Sequence, residues 1–442
     1  MKKLAIVSLG CDKNRVDTEK MLGVLSSVNF VITTENEAQV IIINTCAFID
    51  SAKKEAIDTI LSMAEYKKSG ACELLLVTGC LSQKYREELK EELKEVDAFL
   101  GTNDYTDILK IIENLYIKRG EVLQKINNDG NILLSNRILT TPSHYAYLKI
   151  SDGCDNLCSY CTIPSIRGRY KSETIDDLVK ETNYLVNLGV KEIILVAQDV
   201  SNYGIDIYGE RRLVQLIKEL SKTDVEWIRL MYCYIENIDD ILIEEIKSNH
   251  KIVKYIDMPL QHISDKILKR MNRRGDSNLI KGMIDKLRSV VPNIALRTTF
   301  MVGFPDEQDD DFEKLANFLK DFKFNHAGFF EFSPQDGTLA CNLPNQIKSA
   351  ISKKRIKELA LIQRDNVKEF NNDLIGKTIK VLYEGIDFDK NLFYGRGEFS
   401  APDIDTLVYF KADFVLDVGN FYDVKIIKSR GYDLVGKAVD RG

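Results

Sequence analysis

Three cysteines stand in the order Cys154-x3-Cys158-x2-Cys161, just past a short apolar segment (146–150) that reads as a buried strand. No other feature limits what this chain can be as tightly. Thiolates are the preferred ligands of iron–sulfur clusters, and this spacing lets one compact loop wrap a single cluster face. Three ligands around a four-iron cluster leave one iron open to a chelating small molecule. The loop would then be a reactive centre rather than a structural staple. A structural zinc knot is the competing reading. Zinc asks for four ligands, usually in Cys-x2-Cys pairs, and no fourth Cys or His lies within the triplet; the nearest downstream cysteine is Cys233.

A second set of cysteines is spread over the first hundred residues. Cys11 follows the apolar run 4–8, Cys46 follows 40–44, and Cys80 follows 74–78. If these runs are strands of an open parallel sheet, the loops at their carboxyl ends converge on one crevice. Three thiols far apart in sequence would then meet, as a second metal-ligating set. Scattered burial of small cysteines is the alternative. Cys72, Cys233 and Cys341 fit no pattern and read as core residues.

The sequence has 442 residues, enough for about three domains. Its first part, 1–125, alternates the apolar runs 4–8, 40–44, 74–78 and 98–101 with helical spacing over 16–25, 51–66 and 83–93, as an open parallel α/β sheet would. A polar connector begins at Asn127-Asn128-Asp129-Gly130 and runs to Thr141-Pro142-Ser143. Between 140 and 370 the alternation restarts. Strands are expected over 146–150, 192–196, 227–230, 255–257, 295–301 and 326–331, with helices over 175–187, 213–221, 264–271 and 310–321. Six such units predict a full or partial (β/α) barrel with its site at the carboxyl ends of the strands. After a charged helix (348–371), residues 373–442 break into short strands between Gly, Asp and Asn, a small antiparallel β-barrel. The fold class is α/β, with that barrel at the end.

No run approaches the roughly 18 apolar residues of a membrane span. Lys2, Lys3 and the run to Gly10 could pass for a signal peptide, but Cys11-Asp12-Lys13-Asn14-Arg15 interrupts it at once. A cytoplasmic, reducing location follows, in which nine cysteines serve metals or catalysis rather than disulfides.

Several segments carry a family resemblance. Ser8-Leu9-Gly10-Cys11 with Lys13-Asn14, Asn44-Thr45-Cys46-Ala47-Phe48 and Thr78-Gly79-Cys80-Leu81 resemble the N-terminal domain of methylthiotransferases. The stretch from Leu148 to Cys161, with Thr162-Ile163-Pro164 and Arg167-Gly168, resembles their radical S-adenosylmethionine (SAM) core, and the terminal barrel resembles a TRAM domain. Ala197-Gln198-Asp199, Tyr203-Gly204, Pro259-Leu260-Gln261-His262, Arg297-Thr298-Thr299 and Gly303-Phe304-Pro305 also recur in the group. The resemblance implies two 4Fe-4S clusters, one on Cys154, Cys158 and Cys161 and one on Cys11, Cys46 and Cys80. It further implies SAM bound and reductively cleaved at the first, an electron donor, and sulfur inserted at an unactivated C–H with a methyl group from a second SAM.

Within such a site Tyr160 is expected against the adenine. Gln198, Gln261 and Arg297, each at or near a strand end, are expected to bind SAM, Arg297 because a guanidinium pairs bidentately with a carboxylate. No Ser–His–Asp set or carboxylate pair is evident beyond the cluster ligands. Of the histidines, only His262 falls at a strand end.

The substrate is the last expectation. Ala401-Pro402-Asp403-Ile404-Asp405 and Tyr432-Asp433-Leu434-Val435-Gly436 are similar to the branch of the family that modifies the β-carbon of an aspartate in the twelfth protein of the small ribosomal subunit. Charge points the same way. The chain carries 61 Lys/Arg against 67 Asp/Glu, net −6, and residues 373–442 carry 10 against 12, net −2. A barrel that grips tRNA should be basic, whereas an acidic one suits a Lys/Arg-rich ribosomal protein, free or on the ribosome. The rivals are a tRNA-adenosine methylthiotransferase and a non-catalytic, zinc-stabilised RNA-binding protein. Asp12, Glu173 and Asp306 depart from the family pattern at positions next to its motifs, which bears on loop conformation rather than on the ligands.

Overall fold

A computed structural model describes residues 1–117, 123–125 and 137–440. The chain forms two compact units that interleave in sequence: Met1–Thr140 with Ser151–Asp155 and Cys161–Glu173, and Thr141–Ile150 with Asn156–Tyr160 and Thr174–Gly442. The start of the expected connector, Asn127 to Gly130, lies outside the described residues.

In the first unit, β1 (Lys2–Ser8), β2 (Phe30–Ile32), β3 (Val40–Thr45), β4 (Leu74–Gly79), β5 (Ala98–Leu100) and β6 (Leu123–Lys125) form one parallel sheet in the order β2-β1-β3-β4-β5-β6. All residues of β3 and β4 are buried. A parallel strand covered by helices on both faces reads as an unbroken apolar run, and Val40-Ile41-Ile42-Ile43 and Leu74-Leu75-Leu76-Val77 are such runs. Two separate apolar clusters form. Ile41, Ile43, Leu75 and Val77 pack into one, and Val40, Ile42, Leu74 and Leu76 into the other.

The expected helix over 83–93 is instead two pieces, Cys80–Lys84 and Arg86–Glu92, parted at Tyr85. The first begins directly on Gly79, whose φ of +96° sets the turn from strand to helix. Helix Asp12–Ser26 buries a polar face that includes Asn14, Asp17, Thr18 and Glu19. Glu19 pairs there with the buried Arg137.

The same unit holds the two-stranded antiparallel β8 (Ser151–Asp152) and β9 (Lys171–Ser172), which bracket the cysteine triplet in sequence. In the second unit, β7 (Tyr145–Lys149), β10 (Glu192–Val196), β11 (Trp227–Leu230), β12 (Ile252–Gln261), β13 (Ala295–Val302) and β14 (His326–Glu331) run parallel in the order β14-β13-β12-β11-β10-β7. Strands in sequential order joined by helices make a partial (β/α) barrel. Five strands, β15 (Thr378–Asp387), β16 (Leu392–Gly397), β17 (Val408–Lys411), β18 (Phe421–Arg430) and β19 (Asp433–Ala438), then close a small barrel, antiparallel except for the pair β17–β19.

Buried charge joins the two barrels. Glu192 of β10 accepts from Arg229 of β11 (2.6 Å) and from Arg396 of β16 (2.7 Å), all three side chains fully buried. Asp405 accepts from the Tyr255 hydroxyl (2.8 Å) and from Arg297 (3.3 Å). Within the segment from Ala401 to Asp405, which set the branch apart in sequence, Asp403 and Ile404 are exposed, but the Asp405 side chain turns inward: it is 1% exposed and also accepts the Ala401 N–H at 2.9 Å.

Candidate functional site

In the first unit, β1, β3 and β4 each deliver a cysteine beyond their carboxyl ends. Cys11 is exposed, Cys46 half-buried and Cys80 buried. The loops approach closely because glycine precedes two of them. A Cβ on Gly10, whose φ is +91°, would stand 2.6 Å from Cys46 Cβ, and one on Gly79 would strike Asn44 and the Thr45 backbone. Burial pushes the Cys80 thiol up to about 12, against the pull of the Arg167 guanidinium, while Cys11 and Cys46 push it the same way. Burial raises the Cys46 thiol as well. The sulfurs thus feel one another, and the Cys46 and Cys80 protons are held until a metal displaces them.

Among the described residues no three His, Cys, Asp or Glu side chains close around a single metal ion. A multi-iron cluster bonds its ligands to different irons, so it needs thiols spread more widely than one ion does. Three strand-end cysteines and the gap left by two glycines fit such a group.

The triplet lies in the loop between β8 and helix Ile163–Arg167. In the first unit, the Cys154 N–H donates to Gly168 O (3.2 Å), and Cys161 Sγ accepts from the Ile163 N–H (3.4 Å). Such a donor favours a thiolate. In the second unit, the segment Asn156–Tyr160 is tied down by Ser159, whose N–H and Oγ donate to Met271 O (3.0 Å) and Arg270 O (2.8 Å). Cys158 Sγ is 3.7 Å from the Tyr234 phenol oxygen, and the Tyr234 ring carries the Arg273 guanidinium 4.2 Å from its centroid. Asn156, Cys158, Tyr234, Glu236 and Arg273 line one cleft. Burial disfavours the charge on Arg273, but Tyr160, Tyr234, Glu236 and Cys158 together hold it charged.

The residues expected around SAM divide. Tyr160 is half-buried and meets Phe304 edge to face, with ring centroids 6.4 Å apart. Gln198 is half-buried two positions past the end of β10. Gln261 ends β12 with φ +71°, and its Oε1 is buried without a protein partner among the described residues. A left-handed glutamine with an orphaned buried oxygen at a strand end fits a polar ligand.

Arg297 is placed elsewhere. It is the third residue of β13, and its guanidinium is committed to Asp257 (2.9 Å) and Asp405. The structure brings Arg273, not Arg297, to the cleft that Cys158 lines. No spacing signal marks Arg273 in the sequence. His262 is fully buried, 3.8 Å from Glu307.

Relatives decide the family. The chain is 47% identical to the "Ribosomal protein uS12 methylthiotransferase RimO" of Acetivibrio thermocellus over 99% of both chains. It is 46% identical to the RimO of Clostridium tetani over 99% of this chain and 98% of that one. The chain belongs to the RimO family. Profiles agree along its length: uncharacterized protein family UPF0004 matches residues 3–101, the radical SAM superfamily 148–319, and the TRAM domain 375–439.

Among solved structures, the radical SAM methyltransferase TsrM from Kitasatospora setae superposes with TM-score 0.55 at 11% identity, covering 77% of each chain. The cobalamin-dependent SAM radical enzyme OxsB reaches 0.50 at 15%, over 82% of this chain and 56% of that one. At such identities only the fold is shared. Like other RimO chains, this one is a radical SAM enzyme of the methylthiotransferase kind. Among its described residues no helix is long and apolar enough to cross a membrane.

Proposed function

We propose that this enzyme adds a methylthio group to ribosomal protein uS12, at the β-carbon of an aspartate. The observation that carries this reading is the pairing of two cysteine sets, each at strand ends, on a chain nearly half identical throughout to RimO proteins. Cys154, Cys158 and Cys161 would hold one 4Fe-4S cluster, whose open iron takes SAM. When bound, that cluster supplies the electron for reductive SAM cleavage. Cys11, Cys46 and Cys80 would hold a second 4Fe-4S cluster, which presents the sulfur.

The protein's own part is placement. Tyr234 stands within reach of the Cys158 sulfur, and Tyr160 and Gln261 offer an aromatic face and a buried acceptor to SAM, with Gln198 beside the same strand ends. Domains at 1–125, 140–370 and 373–442 divide the work between sulfur delivery, radical generation and substrate capture. The net negative charge of the last favours a basic protein over tRNA. The setting is the cytosol, with an electron donor and uS12 taken free or on the ribosome.

Mass spectrometry of uS12 and of tRNA from cells lacking the gene tests the reading. Loss of the methylthio mass from uS12, with tRNA unchanged, is expected. Loss from tRNA alone defeats it.

A further inference from the structure

One buried hydrogen-bond hub touches all three cysteine loops of the first unit. The Asn14 side-chain amide donates to Leu9 O and to Thr45 O, both at 3.0 Å, two residues before Cys11 and one before Cys46. Its Oδ1 lies 4.0 Å from Cys80 Sγ. Asn14 Oδ1 in turn accepts from Arg167 Nη2 at 2.6 Å. Arg167 also donates to Asp17 (3.2 Å) and to Asp152 (2.7 Å), with its side chain only 2% exposed.

The sequence positions of these groups matter. Asp152 stands two residues before Cys154, and Arg167 six residues after Cys161. The triplet loop's two flanks therefore reach into the unit that carries Cys11, Cys46 and Cys80. A guanidinium enclosed by two carboxylates, an amide and a thiol is expensive to build for packing alone, since a buried ion set rarely beats apolar side chains of the same size. Its donors are fixed in direction, and its charge acts in a low-dielectric site.

We propose that Arg167 and Asn14 are a positioning pair for the group held by Cys11, Cys46 and Cys80. Asn14 sets the mutual register of the three thiols, and Arg167 locks Asn14 while placing positive charge and N–H donors beside Cys80. The proposal rests on the reading that these cysteines hold an iron–sulfur cluster. Hydrogen bonds to cluster sulfurs and nearby charge set a cluster's reduction potential. The pair therefore makes the N-terminal cluster easier to reduce, and ties that property to the loop that binds the other cluster.

The test uses full-length protein with Cys154, Cys158 and Cys161 changed to Ala, so that only the N-terminal cluster is present. Iron and sulfide are counted after anaerobic reconstitution, and the midpoint potential is read by EPR-monitored titration. Arg167→Lys keeps the charge and spares Asp17 and Asp152 from isolation, but loses the fork. Asn14→Leu removes the hub. In the Arg167→Lys protein we expect unchanged iron content with a more negative midpoint potential. In Asn14→Leu we expect lower iron occupancy and a broadened EPR signal.

A potential and EPR signal unaltered in both variants, in protein that carries iron, overturns the positioning role while leaving the cluster reading intact. Absence of iron from the parent protein, before either change, overturns the cluster reading and the proposal with it. A purely structural role predicts loss of protein or iron with no change in potential, and that result also overturns it.

Discussion

Arg396 of the terminal barrel donates to Glu192 of the central sheet at 2.7 Å, and neither side chain has any exposure. Arg229 takes the other carboxylate oxygen, and Arg396 also reaches Glu384 at 2.8 Å. Removing one member of such a set strands the rest in low dielectric. Arg396→Met is expected to cost about 3–5 kcal/mol in urea unfolding. The exposed pair Lys437–Asp413 is the control: Lys437→Met should shift stability by no more than about 1 kcal/mol. Equal effects would show that burial is not what gives the first network its weight.

Acid should weaken the same contact between barrels. Burial alone would raise Glu192, but Arg229 and Arg396 outweigh it and hold the carboxyl below its ordinary 4.5. Asp405 is likewise held below 3.8, as His326, Arg297 and the Tyr255 hydroxyl outweigh burial. Burial keeps His326 below its ordinary 6.5. In all three cases the unfolded chain takes up its proton at higher pH than the fold does, so stability falls as pH falls. Unfolding midpoints measured from pH 7.5 downward should begin to drop near 6.5 and drop faster below 4.5. A midpoint constant down to pH 4 would contradict these shifts.

Gly10 offers a test of the cysteine crevice. Its φ is +91°, and a methyl group added there would stand 2.6 Å from Cys46 Cβ, which leaves no room for a side chain. Gly10→Ala should force the Cys46 loop outward, at a conformational cost of about 1–3 kcal/mol. Iron per chain should then fall from about eight toward about four as one of two four-iron clusters is lost. Full iron content in the variant would mean that Cys46 is not a ligand.

These sites differ in how visible they are in the sequence. Strands buried on both faces announce themselves, which is why β3 and β4, and with them Cys46 and Cys80, are legible from apolar runs alone. The three-residue β2, with two of its residues exposed, carries no such run. The helices Asp240–Ser248 and Ser277–Val290 are also faint, being short apolar stripes diluted by Glu, Lys and Arg.

Long-range polar pairs are the least legible. Asn14 and Arg167 are 153 positions apart, and nothing local to either predicts the other. The partners of Arg297 are hidden for the same reason. An arginine in a barrel strand suggests a carboxylate ligand, and the carboxylates it meets are Asp257 on the neighbouring strand and Asp405, 108 positions downstream in a different barrel.

The two cysteine sets should be separable by function. If the triplet alone binds and cleaves SAM, Cys46→Ala and Cys80→Ala proteins should still produce 5′-deoxyadenosine when given a chemical reductant, at no less than about a tenth of the parent rate. They should make no methylthiolated product. Cys154→Ala, Cys158→Ala or Cys161→Ala should abolish both, because each removes one of three thiolates from a cluster that already has an open iron. Anaerobic assays that count 5′-deoxyadenosine and product in the same tube distinguish the cases. Reductive SAM cleavage surviving in the triplet variants would remove the radical SAM assignment from this loop, and product formation surviving in Cys80→Ala would remove sulfur delivery from the other.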